Sequence, residues 1–159
     1  MAEDPEAQSE AKAMLAGKQY LDAAWVIENA AGGLGKKLAA EFKRKDCPEA
    51  AARYALLSRL PFKSIFTTNY DHFLDDGRTP VTQADEPLEI FDRDQVLHLH
   101  GQASKPETLV LTSMDFTRTK LFHDRLGEVM RTAAAGSSFL FLGYGMDDED
   151  VRLWLERSC

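Results

Sequence analysis

The sequence predicts an α/β fold in which a mostly parallel, Rossmann-like sheet is flanked by helices. The first 60 residues carry apolar side chains at helical spacing, and short β-prone runs begin only after Pro61. A helical stripe separates two of these runs, and strands that alternate with helices are typical of a parallel sheet. We expect a helical part at 1–60 and a part with the sheet and the site at 61–159, forming a single domain.

Glycine and proline divide the helical part. Asp46 and Pro48 mark the start of a helix, and Pro61 ends it because the residue before a proline disfavours helical backbone. The apolar residues nearer the N-terminus cluster as on amphipathic helices that break near Gly17: Met14, Leu15, Leu21, Ala24, Trp25 and Ile27.

The glycine-rich segment AGGLGKK, residues 31–37, has the composition of a phosphate-binding loop. It follows a helical pattern rather than a strand, and its spacing meets neither the dinucleotide fingerprint nor the P-loop motif. We interpret it as a turn between two helices.

The second part contains the runs that predict the sheet. Residues 63–68 are β-prone, 95–100 alternate as a strand does, and 108–112 are another short apolar run. Residues 138–142 are almost continuously apolar, which predicts the most buried strand, covered on both faces. The helical stripe before it consists of Phe122, Leu126, Val129, Met130 and Ala133, and a last helix carries Val151, Trp154 and Leu155.

The overall composition excludes several classes of protein. At 159 residues the chain is long enough for one domain with a core. A net charge of −7 argues against direct nucleic-acid binding, which needs a basic patch. The chain lacks an apolar run of about 20 residues and an N-terminal signal peptide, so we expect no membrane contact and a cytoplasmic location. The two cysteines, Cys47 and Cys159, form no metal-spaced pair.

Polar or glycine residues follow three of the predicted strands. The first run leads into Asn69-Tyr70-Asp71, the second into His100-Gly101, and the third into Gly143-Tyr144-Gly145. Ligands of open α/β sheets bind beyond the carboxyl ends of the strands. The three strand ends therefore predict one nucleotide site.

Simpler interpretations compete at several of these positions. Asp71 is as well explained as a cap of the next helix, and Gly143 and Gly145 as ordinary turn residues. His98 and His100 lie two apart on a predicted strand and share a face, which suits zinc. No third ligand follows at a recognisable spacing, so we expect no metal.

Four segments together resemble the sirtuin-like NAD-hydrolysing domains of bacterial antiphage systems, and the resemblance extends from about residue 10 to the end of the chain. They are LPFKSIFTTNYDHFL, VLHLHG, LVLTSMDF and FLFLGYGMDDEDVR. The order and spacing of TTNYD, LHG and LGYG make the resemblance specific, although each motif alone is weak.

The resemblance implies a role for each strand end. Asn69 and His100 match the catalytic pair of the family, and Asp71 matches the acidic position beside the nicotinamide of NAD. Gly143 and Tyr144 match the turn near the adenosine side. Three further positions complete the implied cofactor-binding set: Thr68, Gly101 and Gly145.

Two departures from the family refine the expectation. Protein-deacetylating sirtuins carry a four-cysteine zinc module after the histidine, whereas Gly101 is followed here by QASKPETLVLT. We therefore expect NAD hydrolysis rather than deacetylation, and no zinc. The family also begins with a strand and a GAG-type loop, which residues 1–30 do not resemble. We expect a fragment of a longer protein, with a fold that is incomplete at the N-terminus.

The leading hypothesis is a domain that cleaves the nicotinamide–ribose bond of NAD in its full-length form. The alternative is an inactive nucleotide-sensing or assembly module, and a protein deacylase ranks third. The expected partners are NAD and other domains or subunits of a defence complex, and a homo-oligomer is left open.

Overall fold

The computed structural model describes residues 4–44, 47–85, 94–144 and 156. The chain divides into two compact units, Met1–Arg118 and Thr119–Cys159. The first unit contains four helices and a three-stranded parallel sheet, which gives the α/β, Rossmann-like class that the sequence predicts.

Helices α1 (Pro5–Ala16) and α2 (Tyr20–Ala31) are separated by a break at Gly17, as predicted, and they pack against each other. Asp4 caps α1 by accepting a hydrogen bond from the Glu6 amide at 3.0 Å, and Pro5 suits the first helical position. Small buried residues let the two helices pack closely around a local core: Ala11, Ala23 and Val26.

The glycine-rich segment is the predicted turn between two helices. Gly32 and Gly33 adopt φ values of 65° and 71°, which glycine tolerates and other residues rarely adopt. The Glu28 carboxylate accepts hydrogen bonds from the amides of Gly33 (3.0 Å) and Leu34 (2.6 Å), and so it caps helix α3 (Leu34–Arg44). The turn geometry and the capping of helix α3 thus account for this segment.

Helix α4 spans Pro48–Ser58 and ends before Pro61, as predicted. Its first residue is proline, which lacks the amide hydrogen that a helix start leaves unpaired. The predicted marker Asp46 lies outside the described residues. Cys47 occupies the N-cap and is an exposed free thiol.

The sheet has the order β1-β3-β2, and both pairings are parallel. Strands β1 (Ser64–Thr67) and β3 (Gln95–His98) lie within the predicted runs, although β3 ends two residues earlier than expected. Strand β2 (Thr79–Val81) was not predicted, because three residues that include a proline give no strand pattern. As an edge strand, β2 tolerates Pro80.

Strand β3 is the centre of the core. Val96, Leu97 and His98 are fully buried. A short 3-10 helix (Pro106–Thr108) follows, and helix α5 spans Ser113–Ala134. Thr112 and Asp115 cap α5 reciprocally, since the Asp115 carboxylate accepts from the Thr112 amide at 3.0 Å and the Thr112 hydroxyl accepts from the Asp115 amide at 3.1 Å.

The prediction for residues 138–142 is wrong. This run has no strand structure, and its side chains are exposed: Leu140 by 64%, Phe141 by 39% and Leu142 by 54%. An apolar run identifies residues that favour burial, but a strand also needs a hydrogen-bonding neighbour. The described strands pair only with one another, so this run has no part in the described sheet. The predicted last helix at 151–155 lies outside the described residues.

Candidate functional site

The candidate site begins at the carboxyl ends of β1 and β3. The register of these parallel strands pairs Thr67 with His98, and the Leu99 amide donates to the Thr67 carbonyl at 2.9 Å. Asn69 and His100 each follow a member of that pair by two residues. They therefore leave neighbouring strands at the same end of the sheet, as predicted for a shared site.

Asn69 is held by its backbone and exposes its side chain. Its amide donates to the Thr67 hydroxyl at 3.1 Å, and its carbonyl lies 3.2 Å from Nδ1 of His98. The side-chain amide makes a long hydrogen bond of 3.4 Å to the hydroxyl of Tyr54 in α4. The amide is thus presented to solvent on an anchored backbone.

His98 lies at the centre of a buried polar group that the sequence did not reveal. Its ring is fully buried, and Nε2 lies 2.8 Å from the Asp75 carboxylate. The Gln102 side-chain amide contacts the other oxygen of that carboxylate. No role was assigned to Asp75 or Gln102 from the sequence. The one indication was the apolar sequence around His98, because a histidine ring buried among apolar residues needs polar partners.

His100 follows β3 in a turn rather than on the strand, and it is only 7% exposed. Its ring contacts Phe116 at a centroid distance of 5.2 Å, and its carbonyl accepts from the Val110 amide at 2.9 Å. Gly101 then adopts a φ of 81°, where a side chain would collide with the backbone of Thr108. The sharp turn that presents His100 therefore requires glycine.

Two other predicted positions lie beside Asn69. Asp71 accepts a hydrogen bond from the Phe73 amide at 3.1 Å, as aspartate does in a turn. The simpler interpretation of a helix cap is wrong, since residues 71–78 form bends and turns and no helix begins there. Thr68 is half-buried, and Phe73 stacks on Tyr54 with centroids 5.6 Å apart.

The third strand end lies in the second unit. Gly143 has a φ of 62° and is exposed, and Tyr144 contacts the ring of Phe141 at 6.3 Å. Gly145 lies outside the described residues. A role for these three residues in the site remains a prediction.

An ion pair between Asp85 and Lys105 joins the loop after β2 to the turn after His100. Burial raises the pKa of Asp85, but hydrogen bonds from the amide and hydroxyl of Thr82, both at 2.8 Å, and the ammonium of Lys105 at 3.1 Å oppose it. The balance places the pKa of Asp85 below its usual range.

Within residues 4–44, 47–85 and 94–144, no three His, Cys, Asp or Glu side chains gather as a metal site requires. The two histidines that suggested zinc have separate surroundings, His98 with Asp75 and His100 with Phe116. The described helices also include none that is both long and apolar enough to cross a membrane.

Comparison with known proteins places this geometry in a family. The family model for the SIR2-like domain matches residues 63–159, which is more than half of the chain. The matched region contains the whole sheet and both strand ends of the site. The chain therefore belongs to the SIR2-like domain family.

Two individual relatives are similar over most of the chain. An NAD(+) hydrolase ThsA from Cytobacillus dafuensis is 27% identical over 117 residues, which are 65% of this chain and 23% of that protein. An NAD(+) hydrolase ThsA from Bacillus cereus (strain MSX-D12) is 24% identical over 135 residues, 79% of this chain and 28% of that protein. The chain thus spans about a quarter of the length of these relatives.

Proposed function

We propose that this protein, in its full-length form, cleaves the nicotinamide–ribose bond of NAD, with Asn69 and His100 as its catalytic pair. The observation that carries the proposal is the equivalent position of the two residues, each two places beyond the register pair Thr67–His98. The names of the two relatives, both NAD(+) hydrolases, support the choice of substrate.

The chemistry suits these two side chains. Loss of nicotinamide develops positive charge on the ribose, as in other glycosyl transfers. The amide of Asn69 can hold a ribose hydroxyl or the attacking water without adding charge. The imidazole of His100 can accept the proton that the water or hydroxyl releases. Water then adds to the ribose carbon as the bond to nicotinamide breaks, and ADP-ribose and nicotinamide are the products.

The remaining predicted residues have binding roles in this proposal. Asp71 accepts a hydrogen bond from the nicotinamide amide through the oxygen that Phe73 leaves available, and Thr68 and Gly101 line the ribose end. On the adenosine side we propose the turn at 143–145. NAD is a substrate here, no zinc takes part, and we propose that the protein acts in antiphage defence in the bacterial cytoplasm.

Chromatography of the reaction mixture tests the proposal. Incubation of the full-length protein with NAD is expected to yield nicotinamide and ADP-ribose in equal amounts, at a rate proportional to protein concentration. Heat-denatured protein serves as the control. A protein that binds NAD in calorimetry but yields neither product over hours contradicts the proposed hydrolysis.

The second candidate is a module that senses a nucleotide without turnover. The burial of His100 favours it, since a ring that is only 7% exposed and packed on Phe116 has little room for a reacting ribose. Binding without product formation is its signature, so the same pair of measurements separates the two candidates.

A further inference from the structure

We propose that His98 is a positioning residue that fixes Asn69 through its backbone carbonyl, with Asp75 and Gln102 holding the ring in place. The catalytic consequence rests on the proposed NAD cleavage, whereas the structural part does not. From the sequence, His98 was considered as a zinc ligand, and neither its partners nor this mode of action was predicted.

The ring of His98 faces acceptors on both sides. Nδ1 lies 3.2 Å from the Asn69 carbonyl, and Nε2 lies 2.8 Å from Oδ1 of Asp75. A backbone carbonyl only accepts hydrogen bonds, so the contact to Asn69 is filled when Nδ1 donates. Nε2 faces the Asp75 carboxylate, and the fully buried ring lies between the two groups.

Asp75 is itself fixed from behind. Its second oxygen, Oδ2, accepts from the side-chain amide of Gln102, whose carbonyl oxygen accepts from the Ser104 hydroxyl. The backbone amide of Gln102 donates to the Thr108 hydroxyl at 3.1 Å. The network therefore ends in the turn that follows His100, and Gln102 itself is 3% exposed.

These bonds connect the two strand ends beyond the last pair of the sheet. The Ala103 amide donates to the Tyr70 carbonyl at 2.8 Å, which adds a backbone contact next to the His98–Asn69 contact. Asn69 lies outside regular structure, and among the described residues its exposed side chain hydrogen-bonds to Tyr54 at the long distance of 3.4 Å. Of these two contacts, the one between the His98 ring and the Asn69 carbonyl is the shorter and the more buried, and it restrains the orientation of Asn69 more strongly.

Two substitutions of His98 separate its two contacts. The amide of asparagine reaches the place of Nδ1, so His98→Asn keeps the donor to the Asn69 carbonyl and loses the contact to Asp75. The longer glutamine reaches the place of Nε2, so His98→Gln keeps a donor to Asp75 and loses the anchor of Asn69. Both remove the ring, and each therefore controls for the packing loss of the other.

Two measurements that need no activity test the structural part. In protein with ¹⁵N-labelled histidine, Nδ1 of His98 is expected to carry the hydrogen that bonds to the Asn69 carbonyl, and a bare Nδ1 overturns the proposal. The ¹⁵N order parameter of the Asn69 amide is expected near 0.85 in the original protein and His98→Asn, and below about 0.6 in His98→Gln. Equal order parameters in the two variants also overturn it.

The activity of the same variants tests the consequence for catalysis. His98→Gln is expected to lower kcat by about 10-fold to 10²-fold with KM changed little, since misplacement of about 1 Å costs rates of that order. His98→Asn is expected to keep kcat within about 3-fold despite a lower melting temperature. Rates that follow melting temperature in both variants contradict positioning. A full-length original protein without activity, but with the expected order parameters, refutes the proposed function and leaves the positioning intact.

Discussion

Substitution of Gly101 by alanine tests the turn that presents His100. Gly101 has a φ of 81°, a conformation that costs an alanine about 1–2 kcal/mol. A Cβ there would also lie 2.8 Å from the Thr108 hydroxyl oxygen and still closer to the carbonyl of that residue. Relief of such overlap requires backbone movement, which costs about 1–3 kcal/mol. We expect a total loss of about 2–5 kcal/mol in the free energy of unfolding.

Gly77 offers a matched control. Its φ of 72° is similar, but no described atom lies within 4 Å of a Cβ placed there. Gly77→Ala therefore measures the conformational cost alone, about 1–2 kcal/mol. The difference between the two variants isolates the steric cost at residue 101.

Urea denaturation and thermal melting followed by circular dichroism measure these losses. For a chain of this size 1 kcal/mol corresponds to about 2–4 °C in Tm. Gly77→Ala is expected to melt about 2–8 °C lower and Gly101→Ala about 4–20 °C lower than the original protein. Equal losses in the two variants would show that the close approach to Thr108 does not exist and would refute the reasoning.

Three further predictions concern the surroundings of the site. Asp115→Ala removes the cap of α5 and is expected to destabilise the protein by about 0.5–2 kcal/mol in urea denaturation, with Asp124→Ala on the exposed part of the same helix as a neutral control. Tyr70→Phe removes a 2.9 Å hydrogen bond to a backbone carbonyl and is expected to cost about 1–3 kcal/mol by the same assay. The pKa of Asp85 is lowered in the folded state, so its contribution to stability is complete above the usual aspartate range and is lost as the pH falls through the folded pKa. Lys105→Met is expected to weaken that acid dependence, and an unchanged profile of Tm against pH contradicts it.

The sequence was most informative where residues with a recognisable chemical role directly follow a predicted strand. A β-prone run that leads into Asn69 and an alternating run that leads into His100 predicted two strands and the end of the sheet at which the residues lie. Parallel pairing brings equivalent positions together, so knowledge of the strand ends sufficed to place Asn69 and His100 at the same end of the sheet.

The sequence was misleading where structure depends on distant partners. The run at 138–142 has the composition of a buried strand, but composition does not specify which backbone it pairs with. Strand β2 is the converse case, since three residues around Pro80 become a strand only because β3 lies beside them.

The polar network around His98 could not be predicted for a related reason. Asp75 and Gln102 lie 23 and 4 residues from His98 in sequence. Neither separation corresponds to a regular helix or strand pattern in this region, so the sequence gives no sign that the three side chains meet. Asp71 is the opposite case, because its partner Phe73 is only two residues away. That local hydrogen bond explains an aspartate at this position without any ligand.

The central proposal is that Asn69 and His100 together cleave NAD in the full-length protein, and the rate of nicotinamide release by single variants of that protein tests it most directly. His100→Ala is expected to reduce the rate by about 10²-fold or more as the loss of a general base, and Asn69→Ala to reduce it by a similar factor. Asn29→Ala, an exposed substitution on α2, is the control and is expected to retain the original rate. Folding of each variant is verified by its melting curve. A folded His100→Ala protein that releases nicotinamide at the original rate would contradict the account.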